Sequence, residues 1–320
     1  MHLHTLRRGA LAAAVTGAIT SAPAAASCGS AVCLINTNFE IQSPGAEAGQ
    51  GRVDLHFEYI KQDRLRSGSH TISAADDTAD TLELETINRN FVATLDYVFS
   101  ERWGVTATLP VVDRNHSHID DPTGEAAFES WAFTRAGDAR VVGRYMWQGG
   151  DFEAGGLQFG LKLPTGTYRV TNGEGVQAER SLQPGTGSTD LVVGAYYSRV
   201  DASTGVSVFA QATFQGAVAT RDGYRPGGQF GLTGSVTWPL SDATALQLQL
   251  NALFKSRDSG VNAESDLSGG RYLFASPGVS YALTRDTTIY AYAQLPLYQY
   301  VYGTQLTTDW AAVGGVSVRF

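Results

Sequence analysis

Cysteine is nearly absent from the 320-residue chain, which carries only Cys28 and Cys33. That count excludes a disulfide-stapled scaffold and any multi-cysteine zinc or iron–sulfur centre. Basic charge is short as well: 23 Lys and Arg stand against 31 Asp and Glu, for a net charge of −8. Such a balance excludes a general nucleic-acid binder. Long apolar runs are missing and the mean hydropathy is −0.12. This excludes helical membrane spans, but a sheet that crosses a bilayer needs no such run. Beyond residue 34 no window sustains an apolar repeat at helical spacing. Walker loops, nucleophile elbows and a Gly-x-Gly-x-x-Gly fingerprint after a strand are absent too; Gly227-Gly228-Gln229-Phe230-Gly231 leads into a strand, with no helix behind it to cradle a phosphate.

What is present begins with a leader. Residues 1–26 have a positive start at Arg7 and Arg8, an Ala-rich apolar stretch and a small-residue cleavage site at Ala24-Ala25-Ala26. The layout is that of a secretory signal peptide, removed on export, and it leaves a still more acidic body. Cys28 and Cys33 follow immediately. In an oxidising compartment they suit one short-loop disulfide, which would add little global stability because the entropic gain grows with loop length. Ala25-Ala26-Ser27-Cys28 also offers a poor lipidation site, and that reading stays open beside the disulfide. The segment 27–51 then lies either in the periplasm or inside whatever residues 52–320 enclose.

The body alternates with period two. In 245–254 Leu246, Leu248, Leu250 and Phe254 share one face while Gln247, Gln249 and Asn251 share the other. The runs 206–216 and 229–240 repeat the pattern. Successive side chains of a strand point to opposite faces, so each run has an apolar and a small-polar side. Strands are expected near 52–62, 86–99, 103–113, 137–148, 154–164, 189–200, 206–217, 228–240, 245–256, 271–283, 288–299 and 309–320. They exceed the roughly five to six residues of an ordinary globular strand and match the roughly nine to eleven of a tilted strand crossing hydrocarbon. The connections alternate: short at 100–102, 149–153, 201–205, 241–244 and 284–287, long at 63–85, 114–136, 165–188, 218–227, 257–270 and 300–308. The predicted fold is all-β, a closed antiparallel transmembrane β-barrel of about twelve strands with long external loops and short periplasmic turns. Closure is forced, since an open edge in hydrocarbon would strand unpaired backbone N–H and C=O groups. Aromatics near strand ends (Trp103, Trp147, Trp238, Trp310, Tyr197, Tyr272) fit interfacial girdles.

The last run, 309–320, alternates Trp310, Ala312, Gly314, Val316, Val318 and Phe320 on one face. A final strand capped by Phe320 is similar to the C-terminal signal of bacterial outer-membrane barrels. That likeness implies the barrel-assembly machinery as a partner, outer-membrane lipid as surroundings and the outer membrane of a Gram-negative envelope as location.

Polar faces should line the lumen. The solute-facing candidates are Asp54, His56 and Glu58 on the first strand, Asp96 on the second, Arg140 and Arg144 on the fourth and Lys162 on the fifth. Either they orient a solute or they neutralise one another in a buried ladder. No cofactor and no metal are expected. His116, His118 and a following Asp could form a metal site, since His-x-His on a strand sets both imidazoles on one side. The preferred reading of 114–121 is nevertheless a solvated external loop. An outer-membrane phospholipase would need His-x-Ser-Asn-Gly, which His116-Ser117-His118-Ile119 does not supply. An omptin-like protease needs Asp-Asp and His-Asp pairs, and the adjacent pairs Asp76-Asp77 and Asp120-Asp121 are ordinary in acidic loops. No catalytic residue and no enzyme activity are therefore expected.

Leu163-Pro164-Thr165-Gly166 ends one strand; Gln183-Pro184-Gly185-Thr186-Gly187 and Ser188-Thr189-Asp190-Leu191 open the next. Pro164 stops ladder pairing and the glycines permit tight re-entry. This stretch resembles the outer-membrane family associated with the meta-pathway of phenol degradation. The resemblance implies a channel or transporter-like barrel for a small solute, with aromatic or hydrophobic compounds as the implied class. The alternative is a non-transporting surface-binding or structural barrel using acidic loop residues such as Asp76, Asp77, Asp80, Asp120, Asp121 and Glu125.

Overall fold

In the computed structural model the described residues are 33–42, 47–77, 81–120, 126–150 and 152–320, without the side chain of residue 40. The signal segment 1–26, Cys28, Asp80, Asp121 and Glu125 lie outside them. A single helical turn, α1 (Phe39–Gln42), precedes an all-β body. The strands are β1 (Gly51–Gly68), β2 (His70–Thr71), β3 (Thr81–Ser100), β4 (Trp103–Asp120), β5 (Ala127–Ala136), β6 (Arg140–Gly150), β7 (Glu153–Lys162) and β8 (Ser188–Val200). They continue as β9 (Ser207–Thr220), β10 (Tyr224–Arg225), β11 (Gln229–Pro239), β12 (Thr244–Lys255), β13 (Ser259–Gly260), β14 (Gly270–Ala282) and β15 (Thr287–Arg319).

Eleven of these form one closed antiparallel ring, in the order β1, β3, β4, β6, β7, β8, β9, β11, β12, β14, β15, with β15 returning to β1. β2 and β5 pair onto β1 and β4 outside that path, and β10 pairs with β13. β15 occupies two places in the wall: its residues 288–301 pair with β14 and 301–319 with β1. At roughly 3.3 Å per residue a straight strand of that length would overshoot any bilayer, so it doubles back. Gly303, at φ +65°, sits at the reversal, and Gln299 Nε2 donates across it to the Thr308 carbonyl at 2.9 Å. Most of the connection expected at 300–308 is thus paired strand, interrupted only by the reversal at Gly303.

Tight connections gather at one end, the same end at which Gly51 and Phe320 exchange two backbone hydrogen bonds of 2.9 Å. The Phe320 ring lies against Gly51, where a Cβ would collide with it at 2.3 Å. Outside the barrel runs an apolar belt, with Leu55, Phe91, Leu109, Leu157, Phe214 and Leu250 all exposed. Large apolar side chains turned outward on every wall suit hydrocarbon. Trp103, Trp147, Trp238, Trp310 and Tyr197 point outward as girdle residues should. Tyr272 does not: it is buried inside, ring centroid 6.4 Å from that of Phe274.

β1, β3 and β4 are longer than expected, and much of the connections placed at 63–85 and 114–136 is paired strand. The reason is visible on β4. Beyond Val111 the outward residues become Asp113, Asn115 and Ser117, because the wall has left the apolar belt. The apolar alternation that marks a membrane strand stops there, while the hydrogen-bonded ladder continues.

Candidate functional site

The inner face of the wall encloses a cavity of about 460 Å³. Its lining is mixed: hydroxyl and amide side chains such as Thr94, Thr108, Gln158, Gln211 and Gln215 are interspersed with apolar ones such as Val92, Val142 and Val192, and Arg140, Asp54, His56 and Glu58 add charge. Strand alternation puts these residues inside for the same reason that it puts leucines outside.

Residues 33–42 run through this interior rather than below it. The Leu34 N–H donates to Gln294 Oε1 at 2.9 Å. Gln249 grips Asn36 as a neighbouring strand would: its Oε1 accepts from the Asn36 N–H at 3.0 Å and its Nε2 donates to the Asn36 carbonyl at 2.9 Å. Asn36 Nδ2 reaches Gln211 Oε1 at 2.8 Å, and Asn38 Nδ2 reaches Asp96 Oδ2 at 3.3 Å. Phe39 packs edge-on against Tyr290 at 5.2 Å, beneath the Arg52 guanidinium at 5.9 Å. Ile41 completes an apolar cluster with Val98, Met146, Tyr196 and Phe209 near the tight-turn end. Backbone polar groups in a barrel interior need such partners, and the buried amides supply them. Cys33 packs beside Tyr290, Tyr292 and Val313. It is a free thiol, not half of the expected disulfide; Cys28, its expected partner, lies outside the described residues.

The predicted lumen residues fall into three groups. Asp54, His56 and Glu58 form a chain on one wall, with His56 Nδ1 at 2.8 Å from Asp54 and Nε2 at 3.4 Å from Glu58. The Tyr290 hydroxyl lies 2.9 and 2.8 Å from the two Asp54 oxygens, in space left by Gly315. They pair with one another and with Tyr290, not with Arg140 or Arg144, although Arg140 lines the same cavity. Arg144 instead binds Asp96 through both terminal guanidinium nitrogens, and the pair is sealed from solvent. Gly104, opposite Arg144 in the ladder, makes the room; a Cβ there would meet the guanidinium at 2.8 Å. Lys162 is likewise enclosed, by Asp138 at 2.7 Å, Asp190 at 3.5 Å and the Ser188 carbonyl at 2.9 Å. Arg140 alone of the three predicted cations turns an exposed side chain to the cavity, held by Gln215 Oε1 at 2.5 Å.

At the long-loop end the connection after β7 folds inward. Val170, Ala178 and Leu182 join Leu65, Val112, Trp131, Phe133 and Leu306 in a buried cluster. Arg114 donates to the Leu182 carbonyl at 2.5 Å and to Asn88 Oδ1 at 2.6 Å. The cavity therefore lies between residues 33–42 and an inward-folded loop.

Residues 114–120 are paired strand and not the solvated loop expected at 114–121. His116 and His118 are inward-facing residues of β4, 3% and 5% exposed, beside Trp131. They stand beyond the apolar belt. Burial, with His118 and Arg114 nearby, lowers the His116 pKa to about 3. Burial lowers His118 against the opposing pull of Glu129 and Asp120. On the adjoining strand burial raises Glu83 well above the carboxylate range, helped by Glu264 and Asp77.

Neither a known family profile nor a curated protein matches the chain. The likeness to the phenol-degradation family thus rests on its motif residues alone. Among solved structures, an outer membrane channel from Pseudomonas putida F1 superposes with a TM-score of 0.67 at 11% identity, covering 89% of this chain and all of that one. A NanC porin gives 0.48 at 11% identity over 83% of this chain and 98% of its own. The CymD monoaromatic hydrocarbon channel gives 0.48 at 7%, over 86% and 89%. The first of these superpositions shows the fold of an outer-membrane β-barrel.

Proposed function

We propose that this chain is an outer-membrane channel of twelve membrane-crossing runs, β15 supplying two, that passes a small hydrogen-bonding solute. An antiparallel ring closes only with an even number of runs, which supports counting β15 twice. One observation carries the functional reading: a polar, charge-lined cavity inside an apolar-coated barrel, narrowed by residues 33–42 through side-chain amides that point inward from three strands. Apart from that role, fully buried Gln249 and Gln294 would be costly lumen residues. The amide and hydroxyl lining, with Arg140 exposed to it, favours a polar or amphipathic solute over a purely hydrophobic one. Asp54, His56, Glu58 and Arg140 are the residues placed to meet it; Asp96, Arg144 and Lys162 hold the wall.

The alternative of a surface-binding barrel has less support, because the connection after β7 buries Arg180, Leu182 and Gln183 instead of displaying them. Planar-bilayer conductance and liposome swelling by the purified protein test the proposal. The intact chain should conduct weakly, and deletion of 33–42 should raise conductance severalfold. Closed bilayers from both forms, with folded protein in each, would overturn it.

A further inference from the structure

The buried group on β3 and β4 at the long-loop end serves neither the cavity nor the apolar belt. His116 Nε2 lies 3.2 Å from His118 Nδ1 and 3.5 Å from Glu83 Oε2. One donor atom from each of the three residues falls within 4.8 Å of the others. In a tetrahedral site with bonds of roughly 2.0–2.1 Å, neighbouring donor atoms stand about 3.3 Å apart. The two measured separations bracket that spacing.

The partners behind the imidazoles fit as well. Thr86 Oγ1 sits 2.9 Å from His116 Nδ1, so it can accept that N–H and leave the Nε2 lone pair pointing at the group. Glu129 Oε2 lies 3.5 Å from His118 Nε2 on the far side of that ring, leaving Nδ1 turned inward. An acceptor behind each ligating imidazole is the usual outer shell of a metal site. Glu83 adds an independent sign. Its side chain is wholly buried and neither carboxylate oxygen has a hydrogen-bond partner. A buried carboxyl whose two oxygens lack hydrogen-bond partners is costly in the charged form and unsatisfied in the neutral one, and a bound cation would relieve both. The backbone has been shaped to put it there: a register shift between Glu83 and Glu85 sets Glu83 opposite His118 and Thr86 opposite His116, all on the inner face. Bulges commonly re-aim a side chain in this way.

We propose that Glu83, His116 and His118 bind a divalent transition-metal ion of the zinc type, through one carboxylate oxygen and two imidazole nitrogens. The ion ties β3 to β4 under the inward-folded loop. Its fourth position is open to water or to another oxygen donor. Asp120, one of the two following aspartates that could complete such a site, accepts from Thr81 at 3.0 Å instead, and Asp121 lies outside the described residues.

The test uses the full chain, folded in detergent and stripped with a chelator, with Co²⁺ and Zn²⁺ as probes. One Co²⁺ per chain should bind with the intense visible absorption of a tetrahedral N/O site, and Zn²⁺ should displace it. Glu83→Gln and His116→Ala should each weaken Zn²⁺ binding more than tenfold, while His70→Ala on the outer surface leaves it unchanged. Thr86→Val and Glu129→Gln keep all three ligands and should weaken it about 10–100-fold. Heat-modifiable gel migration reports folding; if a ligand variant fails to fold, the Thr86 and Glu129 variants decide. No binding by the folded chain, or affinity unchanged in the folded variants, would overturn the proposal.

Discussion

Residue by residue, the interior is held by a few charged groups whose partners are fixed by ladder register. Arg144 shows how narrow the solution is. Its guanidinium fills the space that Gly104 leaves empty and meets Asp96, which accepts from Thr106 at 2.6 Å as well. Removing one member of a sealed pair leaves an uncompensated buried charge, at a cost of about 3–5 kcal/mol. Asp96→Asn should therefore lower the urea midpoint of the detergent-folded protein markedly, whereas Asp309→Asn, whose partner Arg64 is half-exposed, should shift it little. Equal shifts in the two variants would contradict this assignment. At this scale the sequence told which side chains point inward, since alternation fixes that. It did not tell their pairing. Asp54, His56 and Glu58 bind one another and Tyr290, and nothing local to β1 reveals that Tyr290 lies beside them across the seam.

The elements show where sequence patterns carry structural meaning and where they lose it. The Leu163–Gly166 and Gln183–Gly187 motifs read as separate strand-end marks, yet their glycines touch. A Cβ on Gly185 would lie 2.6 Å from the Gly166 carbonyl carbon and oxygen, and a Cβ on Gly166 would lie 2.8 Å from both Gly185 Cα and the Gly137 carbonyl carbon. Asp138 then locks the contact, accepting from the Gly166 N–H at 3.0 Å and the Thr186 N–H at 2.9 Å. Backbone cannot yield as a flexible side chain can, so Gly185→Ala should destabilise by about 1–3 kcal/mol. A matching loss of unfolding midpoint in detergent checks this; an unchanged midpoint would show that the crossing relaxes freely. The membrane-crossing parts of the strands were legible because hydrocarbon outside and polar groups inside impose alternation. Their upper reaches were not, since from Asp113 to His118 both faces of β4 are polar or charged. The interior course of 33–42 was equally hidden: Gln249 and Gln294 read as residues facing water, and only the closed ring shows them facing a chain.

For the whole molecule, the decisive fact is closure. Each wall depends on two neighbours, and the β1–β15 ladder joins the extremes of the body, from Arg52 opposite Arg319 to Gly68 opposite Val301. Deleting Phe320 removes both of its hydrogen bonds to Gly51 and uncovers that glycine. The shortened protein should stay barrel-like but open first at this seam, giving a lower heat-modification temperature and faster amide exchange along residues 51–55. Uniform loss of protection around the ring would argue against a local role for Phe320.

That seam also constrains time as well as space. Its pairings separate residues by nearly the full length of the body, so their closure entropy falls due before any of their hydrogen bonds can form. A nascent chain carrying β1 through β14 has two raw edges, and the missing partner of β1 is β15, which is made after every other strand of the ring. Ring formation cannot be completed strand by strand as the strands emerge; it has to wait for β15. Until then the edges of β1 and β14 need protection from outside the molecule.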